Sequence, residues 1–300
     1  MKRILYASLI FFISVTSILA AKNSVPLDEV SKNVFELKSG KIVMKISSKG
    51  GRIVSFRFEE KEMLTQQNES VIYGSTLWTS PQSGWGWPPF DVLDNQDYSV
   101  EWNGGTLKMI SNPDSKSGFQ FEKSWKVNND HSIQIEYLIR NITNSSKSVG
   151  AWEVTRVPCG GLVFFPEGSN EKLPESALKP DLDQDGVQWV LIDKKPISEH
   201  QKLFATAQEG WLAYSLNGLL FIKKFPDTKP EDYAPEQGEV EVFINKDKSY
   251  TELENQGAYS LLNPGKTIKY KVTWELVPIP ETVKNEVGSQ QLVNFTKKTN

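Results

Sequence analysis

The sequence predicts an all-β fold: a large antiparallel sandwich with a short carboxy-terminal helix. Three observations predict it. Apolar residues recur at every second position through most of the chain, the runs are rich in β-branched and aromatic residues, and clusters of Gly, Asn, Asp and Pro interrupt them. Strands without the alternating helices of a βαβ unit argue for antiparallel pairing rather than a parallel sheet. No repeat at a fixed period points to a propeller or a β-helix.

The predicted strands run from Lys41 to Ile46, Arg52 to Phe58, Tyr98 to Trp102, Thr106 to Ser111, Phe119 to Val127, Ser132 to Arg140, Gly150 to Val157 and Leu162 to Phe165. Further strands run from Val187 to Ile192, Trp211 to Ser215, Leu219 to Phe225, Val240 to Ile244, Tyr250 to Glu254 and Thr267 to Leu276. Their connectors carry turn chemistry, as in Ser48-Lys49-Gly50-Gly51, Asn103-Gly104-Gly105, Asn128-Asn129-Asp130 and Asn263-Pro264-Gly265. One helix is predicted, from Glu281 to Lys297 after Pro280.

At 300 residues with 38% apolar and 24% charged side chains, the chain has the composition of a globular protein able to bury a sizeable core, which excludes a disordered or collagen-like chain. Its 34 Lys+Arg against 37 Asp+Glu lack the basic excess that drives binding to a phosphate backbone, so nucleic acid is not an expected partner. Met1-Lys2-Arg3, an apolar run from Ile4 to Leu19 and then Ala20-Ala21 read as a secretory signal peptide, residues 1–21, cut after Ala20 or Ala21. With Cys159 the only cysteine, no lipid-bearing cysteine stands at the cleavage point and no internal disulfide can form. The expected product is residues 22–300, one domain, exported to the periplasm or beyond and without a membrane anchor; its oligomeric state is left open.

Certain segments carry a resemblance. Asn33-Val34-Phe35-Glu36-Leu37 followed by Gly50-Gly51-Arg52-Ile53-Val54-Ser55-Phe56 resembles the first hairpin of galactose mutarotase-like proteins, and Asn141-Ile142-Thr143-Asn144 resembles a turn that precedes a site strand in that superfamily. Tyr250-Thr251-Glu252-Leu253-Glu254-Asn255-Gln256-Gly257, with Leu262-Asn263-Pro264-Gly265-Lys266 and Trp274, is similar to its closing segment. Trp78-Thr79-Ser80-Pro81-Gln82 and Trp85-Gly86-Trp87-Pro88-Pro89 resemble a bacterial branch of the same superfamily, the DUF4380 type. The resemblance implies a β-supersandwich with a concave sheet face that accommodates a sugar ring in characterised relatives.

Mutarotation needs a base for the anomeric hydroxyl and an acid for the ring oxygen, both against one ring. The resemblance maps the base onto Glu254. Strand alternation agrees, since Leu253 faces the core when Glu252 and Glu254 project to the other side; the competing reading makes both glutamates solvated surface residues. The histidines of active mutarotases have no counterpart: His131 reads as a hairpin tip, His200 lies in a polar connector, and the histidine position after the Asn141 turn falls in Ala151-Trp152-Glu153-Val154-Thr155-Arg156. Glu153, with a raised pKa in a dry pocket, is the candidate acid, on the expectation that Glu153 and Glu254 face the same pocket.

Three of the nine tryptophans lie between Trp78 and Trp87, in a Gly- and Pro-rich segment where no regular strand is expected to hide them. Indoles stack on the C–H faces of pyranose rings, so Trp78, Trp85 and Trp87, with Trp152, are candidate sugar contacts, and Gln82 and Arg156 candidate partners for its polar groups. The competing reading has Trp85 and Trp87 plugging the end of the sandwich. Trp102, Trp125, Trp189, Trp211 and Trp274 fall in strand patterns and read as core.

Asp181, Asp183 and Asp185, followed by Gly186, match the first half of an EF-hand-like calcium loop, but Ile192 stands where the closing Glu belongs, and a solvated acidic turn is the competing reading. Calcium is the one cofactor the pattern raises. Cys159 has no matched histidine and reads as a packed residue. The function expected is an exported carbohydrate-binding protein. The alternatives are an aldose-epimerase-like isomerase with Glu254 as base, and a noncatalytic structural or interaction module.

Overall fold

The structure is a computed structural model that describes residues 28–66 and 72–299; the predicted signal peptide lies outside the described residues. Among the described residues two antiparallel sheets face each other. The larger has eleven strands, ordered Asp28–Ser31, Val34–Ser39, Ile42–Ser47, Arg52–Phe58, Ser75–Ser80, Lys147–Val157, Thr251–Gln256, Val240–Ile244 and Gln201–Ala205, with Lys61–Glu62 paired to Arg52–Phe58 and Ser260–Leu262 to Lys147–Val157. The smaller has ten, ordered Leu182–Gln184, Val187–Leu191, Leu162–Pro166, Trp211–Leu216, Leu219–Lys224, Thr267–Pro278, Ile133–Asn141, Phe119–Val127, Thr106–Ile110 and Ser99–Asn103. The predicted antiparallel sandwich is the observed fold.

The main core lies between the sheets, where alternate residues such as Met44, Ile46 and Phe56 of the larger sheet meet Trp125, Ile135, Val272 and Trp274 of the smaller. A second apolar cluster, with Phe164, Trp189, Trp211 and Ile222, lies on the other face of the smaller sheet, where Leu292 and Val293 of the helix cover it. That helix is Gln290–Lys298, shorter than the one read from Glu281. Gly288 at φ +78° turns the chain immediately before it, and the Ser289 side chain caps it by accepting from the Leu292 N–H.

Glu153 and Lys223 form a charged pair fully buried between the sheets. Glu153 accepts from the Tyr137 hydroxyl (2.6 Å) and Trp274 Nε1 (3.2 Å) and pairs with Lys223 Nζ at 2.9 Å. Lys223 also donates to Thr155 Oγ1 and the Leu253 carbonyl, each at 2.9 Å. Every polar atom of this pair has a partner, the condition under which a buried ion pair is tolerated. Burial lowers the Lys223 ammonium from its ordinary value against the pull of Glu153.

The Asp181 to Ile192 segment is a β-hairpin and not a calcium loop. Leu182–Gln184 pairs with Val187–Leu191, and Asp185 and Gly186, at φ +56° and +70°, form the two-residue turn between them. Positive φ at both central positions is what a type I′ hairpin turn requires, and Asp-Gly supplies it. Asp181 accepts from the Leu191 N–H at 2.6 Å, so its carboxylate closes the hairpin. Among the described residues no group of three or more His, Cys, Asp or Glu side chains could hold a metal ion, and no helix is long and apolar enough to cross a membrane.

Candidate functional site

Register sets which side chains share a face. Across the strands Lys147–Val157 and Thr251–Gln256, Trp152 pairs with Gln256, Val154 with Glu254 and Arg156 with Glu252. On the neighbouring strands Trp78 stands opposite Trp152, Glu241 opposite Glu254, Phe243 opposite Glu252 and Lys202 opposite Phe243. These side chains therefore project from one face of the larger sheet, the one turned away from the core. Glu153 pairs with Asn255, one residue out of step, and points into the space between the sheets. Glu153 and Glu254 are thus on opposite faces of the sheet, and the expected acid–base pair in a shared pocket is corrected: Glu153 is occupied by Lys223, Tyr137 and Trp274.

Trp78 is also corrected. It lies in the regular strand Ser75–Ser80, buried on the outer face, and not in a loop. The chain then makes a short turn at Gln82–Gly84, where Gln82 is half-buried and its carbonyl accepts from the N–H groups of Trp85 (3.0 Å) and Gly86 (2.8 Å). This turn lays Trp85 over the face: its indole N–H donates to the Thr79 carbonyl at 2.8 Å, and its ring lies 5.7 Å from Trp78 and 6.4 Å from Trp152. Trp78 and Trp152 meet edge to face at 5.4 Å, and Trp87, 57% exposed, stands 6.0 Å from Trp78. Edge-to-face packing of this kind fixes ring orientation as well as burying area.

At the centre of the face Glu254 Oε2 accepts from Trp152 Nε1 at 2.7 Å and from Lys202 Nζ at 3.2 Å. Lys202 also pairs with Glu241, whose Oε1 accepts from the Gly238 N–H and from Gln256 Nε2. Glu254 Oε1 is buried with no donor. Burial pushes the Glu254 carboxyl up to about 7; Lys202 opposes this, while the neighbouring Glu241 charge favours it. Lys202 itself is held above the ordinary lysine value, because Glu254 and Glu241 outweigh its burial. The Lys202 ammonium lies 5.1 Å from the Trp152 ring centre and 5.4 Å from that of Phe204.

Beside this centre, Arg156 Nε donates to Glu252 at 2.8 Å and its guanidinium lies 5.0 Å over the Trp78 ring, while its Nη1 is buried without an acceptor. Behind Trp78, Asp94 accepts from Arg52 (2.9 Å), Thr76 (2.8 Å) and the Trp78 indole (3.0 Å). Burial works against the Asp94 charge, but Arg52 and these two donors outweigh it and hold the carboxyl below its ordinary value. The Gly50-Gly51 turn makes room here: Gly50 sits at φ +65°, and a Cβ on it would come within 2.1 Å of the Asp94 carbonyl oxygen.

Of the residues singled out from sequence, Trp78, Trp85, Trp152, Arg156 and Glu254 come together on this face, Trp87 and Gln82 lie on the turn at its border, and Glu153 lies elsewhere. Sequence reasoning missed Lys202, Glu241, Asp94 and Arg52. It also missed a row of rings at the far border, where His200 stacks on Phe243 (5.2 Å) and Phe243 on Tyr250 (6.2 Å). The signal for Glu241 was a charge between Val240 and Val242 in a strand pattern, since an acidic residue at a position that later proves buried has to be answered by a partner.

The family model described as "Domain of unknown function (DUF4380)" matches residues 33–277. No curated protein matches the chain. Among solved structures, the Slr1438 protein from Synechocystis sp. PCC 6803 superposes with a TM-score of 0.60 at 13% identity, covering 82% of this chain and 96% of that one. A putative aldose 1-epimerase from Escherichia coli K12 gives 0.58 at 12% identity over 82% and 99% of the two chains, and a galactose mutarotase-like protein from Lactobacillus casei ATCC 334 gives 0.56 at 10% over 81% and 100%. At such identities the likeness is one of fold. With the family model spanning most of its length and these folds superposing over four-fifths of it, the chain belongs to the DUF4380 family and folds as a galactose mutarotase-like β-sandwich.

Proposed function

We propose that this protein binds a carbohydrate on the outer face of its larger sheet, at Glu254, Trp152 and Lys202. The observation that carries the reading is the buried Glu254 carboxyl, whose Oε1 has no donor in the protein although Oε2 is held by an indole and an ammonium. Such an oxygen is built to meet a hydroxyl, and with its carboxyl pushed up to about 7 it accepts or donates as the hydroxyl demands. The half-buried Trp85, packed on the buried Trp78 and Trp152, supplies the apolar surface that the C–H side of a sugar ring needs, and the spare Arg156 Nη1 offers a second polar contact. If the amino-terminal segment acts as the export signal it resembles, the ligand is one met outside the cytoplasm.

The test is titration calorimetry with saccharides on the protein and on Glu254→Gln. A hydrogen bond to a charged group is worth about 1.5–3 kcal/mol, so the variant should bind roughly 10- to 100-fold more weakly. Unchanged affinity removes Glu254 from the site.

The second reading, an isomerase with Glu254 as base, is favoured by one observation, a carboxyl pushed to about 7 where a base works well at neutral pH. It lacks an acid. Lys202 is held above the ordinary lysine value and keeps its proton, and neither His131, bonded to Ser39, nor His200, stacked on Phe243, is hydrogen-bonded to the Glu254 cluster. Exchange NMR on free sugars decides: acceleration of anomer exchange that Glu254→Gln abolishes supports catalysis, and buffer rates with bound sugar support binding alone.

A further inference from the structure

We infer that the ligand is an oligosaccharide of several rings, laid across the sheet from the Trp87 border to the Tyr250 border, and not a single sugar. The inference rests on the carbohydrate reading above. It comes from where the accessible aromatic rings sit. One group, the half-buried Trp85 and the 57%-exposed Trp87, belongs to the turn that follows the strand Ser75–Ser80 and packs on the buried Trp78 of that strand. The other, His200, Phe243 and Tyr250, belongs to the strand Val240–Ile244 and its neighbours. Tyr250 precedes the buried, core-facing Thr251 and so shares the face of Glu252.

The separation follows from register. From Trp78 the row runs through Trp152 and Gln256 to Glu239, whose carbonyl accepts from the Gln256 N–H, three strand intervals away, and Phe243 lies four residues further along the chain in the strand Val240–Ile244. With strands about 4.8 Å apart and residues about 3.4 Å apart, the two aromatic groups stand about 20 Å from each other. That is several times the width of a pyranose ring, so one ring on either group leaves the other unused.

The ground between them suits a sugar chain. It is polar, with the Lys202 side chain 23% and the Glu252 side chain 12% exposed, flanking the buried Glu254 and Arg156. Alternation of ring surface and charged groups matches a glycan, in which every ring carries an apolar C–H face and hydroxyl edges. A single monosaccharide uses only the centre.

The experiment is calorimetric titration of the purified protein with mono-, di-, tri- and tetrasaccharides of the gluco-, manno-, galacto-, xylo- and uronate series, repeated on Trp87→Ala and Tyr250→Ala. Trp87 is exposed, so its truncation keeps the fold, and a thermal melt checks both variants. The expected result is affinity rising at least tenfold from mono- to tetrasaccharide in one series. Each variant should lose roughly 3- to 10-fold for the tetrasaccharide, the range of one aromatic contact, and less than twofold for the monosaccharide. A monosaccharide that binds as tightly as its tetrasaccharide overturns the extended site and leaves the carbohydrate reading standing. A tetrasaccharide that both variants bind with unchanged affinity overturns it as well. Silence across all series overturns both readings.

Discussion

Replacing Glu153 with alanine tests the division of labour between the two faces of the central strand. The carboxyl is fully buried between the sheets, where it takes the Tyr137 and Trp274 donors and neutralises Lys223 at 2.9 Å. Without it Lys223 keeps only Thr155 Oγ1 and the Leu253 carbonyl, both uncharged, and the ammonium stays buried. Removing one member of such a pair costs about 3–5 kcal/mol. At about 2–4 °C per kcal/mol for a protein of this size class, the melting temperature should fall by roughly 6–20 °C. Urea unfolding followed by tryptophan fluorescence gives the free energy, and calorimetry the Tm. Glu153→Met combined with Lys223→Met, which removes both charges and keeps apolar volume, should recover most of the loss. A Glu153→Ala loss below about 1 kcal/mol, or a saccharide affinity that drops as far as in Glu254→Gln, refutes the placement of Glu153 as a structural residue away from the site.

Further predictions concern charge and reactivity. Glu254 is pushed up to about 7 from an ordinary 4.5, so the folded state holds its proton more tightly; that contribution is fully present below about pH 4.5 and is lost as pH rises through 7. Glu239 is pushed to about 7 with the same sign, so the readout is the stability difference between the protein and Glu254→Gln, which should fall between pH 4.5 and 7; a flat difference contradicts the shift. Asp94→Asn keeps the shape but strips the charge that answers Arg52, and should destabilise by about 2–4 kcal/mol in urea unfolding, with a loss under 0.5 kcal/mol as the contrary result. Cys159 is buried and its thiol is pushed up by burial, so a thiol reagent should titrate it only after unfolding, and rapid labelling of the native protein contradicts this.

The sandwich was legible because two-residue alternation is a local property that each strand writes into its own sequence, as Ile133 to Arg140 does with its apolar core face. Glu254 was singled out by the resemblance of its segment to the family's closing motif, and alternation added only its face, since Leu253 fixes the face of its neighbours. Alternation fails where both faces are buried. In Lys147–Val157 every residue from Val149 to Val157 is buried, so polarity does not tell which side Glu153 takes, and only its pairing with Asn255 does. The same holds for Ser75–Ser80, buried throughout, in which small polar residues hid a central strand and its Trp78.

Lys202 and Glu241 were out of reach for a different reason. Lys202 comes to Glu254 from a segment 52 residues away and the next strand but one in the sheet, and nothing in its own surroundings announces the meeting; Glu241, on the adjacent strand, is marked only by its charge between two valines, which does not name its partners. The calcium reading failed on turn chemistry: alternating oxygens followed by Gly fit a metal loop, but Asp-Gly between two strand patterns is also the strongest short hairpin signal, and the hairpin forms.

Saturation-transfer NMR on the purified protein, with hexoses, uronic acids and short oligosaccharides, tests the central claim most directly because it reports contact without requiring turnover. The account predicts saccharide signals in the protein and in Glu153→Gln, and their loss or marked weakening in Glu254→Gln. Signals equal in all three proteins, or absent from all three while each is folded, would contradict carbohydrate binding at the Glu254 face.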